Sequence, residues 1–173
     1  MLQLEKNLLV TSATKRQVEI HQLELDWYTN NYSTLSTHSA LFVGFSFAQM
    51  TAETPENVAG STMSLFMALT TASLGFHLVV VISSAFCCMF GPGMALRGDL
   101  GCQSVSLAVA NMRAGQKTVF TLFLLGMICF FLSNAVQLHL LYGSFVGAIG
   151  AHVLLWLGAA TLVAGLHAFL TLR

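Results

Sequence analysis

Long stretches without a charged side chain constrain this sequence more than any other feature. Residues 62–90, 118–142 and 145–172 contain no Asp, Glu, Lys or Arg, and Gly143-Ser144 alone separates the last two. A hydrocarbon core about 30 Å thick is crossed by roughly 20 apolar residues, each adding about 1.5 Å of helix. All three stretches reach that length. Lipid offers no hydrogen-bond partner to an exposed backbone, so a run of this length crosses as a helix. A shorter apolar run at 35–52 precedes them. The pattern predicts an all-α integral membrane protein with four transmembrane helices, spanning about 35–52, 62–90, 118–142 and 145–172. A polar segment, 1–33, leads into this 34–173 membrane domain.

Composition narrows the function classes. Of 173 residues, 55% are hydrophobic and 8% charged, which no ordinary soluble domain matches. Seven basic and seven acidic residues cancel, leaving no basic field for nucleic acid. Cys87, Cys88, Cys102 and Cys129 lie in or beside apolar runs without zinc-site spacing, and are read as reduced and packed. Cys87-Cys88, at a membrane boundary, is open to two readings: a lipidation site or small apolar filler.

The leading segment lacks the apolar core of a secretory signal, and Glu5, Glu19, Glu24 and Asp26 argue against a transit peptide. It reads as an amphipathic helix carrying Val18, Leu23 and Trp27, or as a solvated tail. Pro55 and Gly60 mark a tight turn, and Gly91-Pro92-Gly93 a break that opens a polar loop over 91–117. Lys6, Lys15, Arg16, Arg97, Arg113, Lys117 and Arg173 then all fall on one side of the four spans. The positive-inside rule places both termini and the long loop on the cytosolic side. Glu53 and Glu56 are left on the other, a negative mouth that attracts cations.

The run at 35–52 is the least uniformly apolar. Ser39, Ser46, Gln49 and Thr51 would each be costly against lipid and call for protein partners or water. Steps of three and four from Thr37 reach Leu41, Phe45, Ala48 and Ala52 on one stripe. That stripe suits an axis shared by several subunits, while small Gly44 and Ser46 equally suit close packing against neighbouring helices.

Ser39-Ala-Leu-x-x-Gly-Phe45, followed by Thr70-Thr and His77-Leu in the second run, resembles the Orai family of store-operated calcium channels. Phe131-Leu in the third run and Gly165-Leu-His167-Ala-Phe in the fourth extend the resemblance. It implies a homo-oligomer in the plasma membrane, a hexamer in the family, with first helices ringing a calcium pore. Gly44 and Phe45 match the family's hinge glycine and gating phenylalanine, and Ser39 and His77 its interhelical hydrogen-bond pair. The chain departs from the family at four places. Ala52 stands where the selectivity glutamate is expected, Ala48 at the hydrophobic-gate valine, Thr37 at the inner basic ring and Asn134 at the third-helix glutamate. Glu53, one residue on, is the candidate carboxylate ligand for calcium, an ion that takes oxygen donors. The other reading of Glu53 is a solvated acid beside a helix end.

His77 lies mid-run, where a hydrogen bond to Ser39, Thr70 or Ser73 is expected. His139 and His152 flank the third-to-fourth turn; they read as interhelical hydrogen-bonding groups or, on the rarer reading, as haem or pigment ligands. No nucleophile–base pair, phosphate loop or paired carboxylate suggests an enzyme. Two classes remain: an Orai-like calcium-permeable channel subunit, or a non-conducting subunit of a larger respiratory, photosynthetic or transport assembly in an organelle membrane.

Overall fold

The computed structural model describes residues 2–52, 60–97 and 102–171, and they are helical almost throughout. Helix α1 is Leu2–Thr51 and α2 is Gly60–Arg97. The third helical stretch, Cys102–Thr171, is broken at Gly143, whose φ of 76° and ψ of −174° lie where glycine alone is comfortable. Its two apolar arms are α3, Gln103–Gly143, and α4, Phe145–His167. Helices α2, α3 and α4 are long and apolar enough to cross a membrane, and among the described residues no other helix meets that measure.

The expected loop at 91–117 is mostly helix. α2 continues through Gly91-Pro92-Gly93 to Arg97, and the next helical stretch has begun by Cys102. Proline inside a helix removes one backbone bond and crowds the preceding turn, a cost of about 3 kcal/mol. Packing offsets it. Ala108, Val109 and Met112 are buried, and the Met112 side chain lies directly over Gly91. The segment between α1 and α2, with Glu53, Pro55 and Glu56, lies outside the described residues.

Two compact units divide the chain: Met1–Thr37 with Val81–Phe120, and His38–Val80 with Thr121–Arg173. In the first, Tyr32 is fully buried and its hydroxyl donates to the Met112 carbonyl at 2.7 Å. Gly115 makes room for that hydroxyl, since a Cβ there would come within 3.0 Å of it. The Cys88 thiol donates to the Thr29 carbonyl at 3.5 Å. The segment 1–33 is thus helical from Leu2, but its expected stripe is not the one that packs. Leu23 and Trp27 are exposed, and Leu25 and Tyr32 are buried instead.

In the second unit α4 folds back along α3 through glycines. A Cβ on Gly147 would stand 2.7 Å from the Leu138 carbonyl oxygen, and one on Gly158 2.8 Å from the Phe131 ring. Helix backbones approach this closely only where side chains are missing.

Burial along the first three helices keeps a seven-residue period. On α1 the buried positions include Leu25, Tyr32, Ser39 and Ser46; on α2 Phe66, Ser73 and Val80, and in a second series Thr70, His77, Ser84 and Gly91; on α3 Met112, Val119, Gly126 and Ser133. Seven residues make nearly two full turns, the repeat that keeps one face of a helix against its neighbour over many turns.

Candidate functional site: the polar seam and the outer face of α1

Within the second unit, the buried face of α1 meets α2 and α3 through polar side chains. Ser73 donates its hydroxyl to the Gly126 carbonyl at 3.2 Å, so the Ser46 hydroxyl, 3.2 Å from Ser73, is the donor to it. Thr70 donates to the Phe66 carbonyl one turn back, and Ser133 therefore donates to Thr70. Gln49 Nε2 donates to Gln137 Oε1 at 3.2 Å. Ser46, Ser73, Thr70 and Ser133 are wholly buried. Each such bond contributes about 0.5–1.5 kcal/mol net, and more is lost if one partner is removed and the other stays buried. The seam therefore aligns the helices by polar pairing, because burial of apolar surface does not drive helices together in lipid.

His77 occupies the middle of this seam. Its ring stacks on Phe42 at 4.9 Å and 14°, and meets the edge of Phe123 at 5.6 Å and 74°. Gly126 forms the floor; a Cβ there would lie 2.8 Å from Nε2. The expected Ser39–His77 hydrogen bond is absent. Both imidazole nitrogens and the Ser39 hydroxyl are buried without a partner, as are Gln49 Oε1 and, in the first unit, the Ser84 hydroxyl. Register explains the missing bond. α1 and α2 run antiparallel, with Ser46 facing Ser73 and Phe42 facing His77, so a further step along α1 brings Ser39 level with Val80, one turn past the imidazole. The expected hydroxyl bonds from Thr70 or Ser73 to His77 are likewise absent, because those hydroxyls are directed to Phe66 and Gly126.

The opposite face of α1 carries the predicted stripe. Thr37, Leu41, Gly44, Phe45, Ala48 and Ala52 are all exposed, Leu41 and Phe45 by 55% each. A Cβ on Gly44 would have no neighbour within 4 Å. Thr37 bonds its own helix, donating to the Ser33 carbonyl at 3.0 Å. Glu53, the candidate ion ligand, is next in sequence after Ala52 and lies outside the described residues.

The other candidate groups are dispersed. Asn134 donates to the Phe130 carbonyl of its own helix at 2.8 Å. His139 and His152 are both exposed, and Nδ1 of His152 donates to the Ala148 carbonyl at 2.7 Å. Among the described residues no three His, Cys, Asp or Glu side chains gather at one place, and Cys87, Cys88 and Cys129 are free thiols. The seam itself was missed by reasoning from residue types; the signal that marks it is the seven-residue spacing of Ser39 and Ser46 on α1 and of Thr70, His77 and Ser84 on α2. Comparison of the chain with family models, with characterised proteins and with solved structures found no match.

Proposed function

We propose that this chain is an Orai-like calcium-permeable cation channel subunit whose α1 helices line a pore between copies of the chain. The observation that carries this reading is the division of α1. One face buries Ser39, Ser46 and Gln49 within the subunit, while Thr37, Leu41, Gly44, Phe45, Ala48 and Ala52 lie exposed on the other. Copies arranged around an axis, six by resemblance to the family, would turn that stripe inward. The residues 35–52 would then cross the membrane inside a ring of protein, which explains how a helix with several hydroxyls and amides is tolerated there. With α1 as a fourth span the basic residues would all fall on one side, which supports a cytosolic location for both termini. Glu53 would concentrate carboxylates at the outer mouth and replace part of the hydration shell of calcium.

Ala48 and Ala52 favour a second reading, since a small uncharged side chain stands at each position where the resemblance calls for a gate and a filter. The exposed face of α1 would then seat against different chains of a larger membrane complex. Reversal potentials in mixed calcium and sodium solutions separate the two. In a channel, Glu53→Gln abolishes calcium preference while monovalent current persists, and Glu56→Gln changes conduction weakly and mainly at low salt. Unchanged selectivity in Glu53→Gln places the filter elsewhere, and a parent protein without current supports the structural subunit.

A further inference from the structure

The adjacent thiols Cys87 and Cys88 both lie near Tyr32 but differ in their other contacts. Cys88 donates to the Thr29 carbonyl of α1. Cys87 instead lines a cavity of about 190 Å³ between α2 and the start of α3, with Phe86, Phe90, Gly91, Met94, Ala108, Asn111 and Met112. Three of these eight residues carry sulfur, and none is a carboxylate or an imidazole. Hard cations have little to bind there, whereas thiolate and thioether donors select soft monovalent metals.

We propose that Cys87, Met112 and Met94 form a binding site for a soft monovalent cation of the copper(I) class. The Met112 backbone is anchored where its carbonyl accepts the Tyr32 hydroxyl, and its Sδ packs over Gly91, 2.5 Å from where a Cβ there would be, in space that the absent side chain leaves open. Met112 is almost wholly buried, while Met94 is 43% exposed and lies on the open side. The Phe86 and Phe90 rings, stacked at 5.9 Å and 16°, wall the cavity. Charge also balances for a monovalent ion. Binding releases the Cys87 thiol proton to solvent, and one thiolate with one monovalent cation leaves a neutral complex. A divalent ion would leave a net charge among apolar walls, which is costly.

The test is competition for copper(I) between the purified full-length chain and the chelator bicinchoninate, under a reductant that is not a thiol. The parent is expected to withdraw one equivalent per chain. Cys87→Ser should abolish this, and Met112→Leu, which conserves volume, should weaken it at least tenfold. Cys88→Ser and Cys129→Ser should match the parent, and helix content by circular dichroism establishes that every variant is folded. Undiminished binding in folded Cys87→Ser, an equal loss in Cys88→Ser, or no binding by the parent overturns the proposal.

Discussion

Gly126→Ala tests whether His77 is locked in place by its surroundings. The added methyl carbon would stand 2.8 Å from Nε2 and 3.0 Å from Cδ2 and Cε1, well inside the 3.4 Å at which ordinary contact begins. Relief by movement is blocked: the ring is fully buried, stacked on Phe42 on one side and against the Phe123 edge on another. Overpacking of a closed interior costs typically about 1–3 kcal/mol. At about 1.4 kcal/mol per tenfold, the unfolding equilibrium of the purified protein in an SDS titration should shift by roughly five- to 150-fold. The second half of the experiment is His77→Ala. It opens a cavity but also removes two buried nitrogens that lack partners, each costing about 1–3 kcal/mol. In the double variant the new methyl enters the space the imidazole left. Gly126→Ala should therefore be neutral or stabilising when His77 is already alanine, a coupling of at least about 1 kcal/mol between the two sites. Equal destabilisation by Gly126→Ala in both backgrounds would refute the locked-ring account.

Two further substitutions probe the seam and the hairpin by the same titration. Ser73→Ala removes a hydroxyl engaged by both Ser46 and the Gly126 carbonyl and should cost about 1–3 kcal/mol, whereas Ser84→Ala deletes a buried hydroxyl with no partner and should be neutral or stabilising. Gly158→Leu should weaken the α3–α4 hairpin by about 1–3 kcal/mol, because even a Cβ would meet the Phe131 ring at 2.8 Å, and Phe131→Ala should recover part of that loss.

Helix-length uncharged runs made the apolar helices legible, and the turn at Gly143 was visible as a glycine between two such runs. Local punctuation misled at 91–117. Gly91-Pro92-Gly93 reads as a stop by propensity, but Met112 and its neighbours pack against α2 there, and tertiary packing overrides a local cost of a few kcal/mol. At the site, the stripe from Thr37 to Ala52 is exposed and Ser39, Ser46 and Gln49 are buried, whereas Thr51, also expected to seek a partner, is exposed and bonds only its own helix. The partner of each polar group was not legible, because it depends on the register between helices. A shift of one turn decides whether Ser39 or Phe42 meets His77, and nothing local to either helix encodes that shift. The seven-residue spacing of buried positions was readable, yet it is carried largely by serine, threonine and glycine, which hydrophobic periodicity does not count.

The claim that the outer face of α1 lines a cation pathway is tested most directly by cadmium block of calcium current through the purified chain in planar bilayers, in parent and Ala48→Cys proteins. Ala48 is exposed on the stripe, and a ring of thiols facing one axis would hold a soft divalent ion in the path. The account predicts calcium current in both proteins, reversible cadmium block in Ala48→Cys and little block in the parent, none of whose four cysteines belongs to α1. Current through Ala48→Cys that cadmium leaves untouched, or no current above that of protein-free bilayers in either protein, would contradict it.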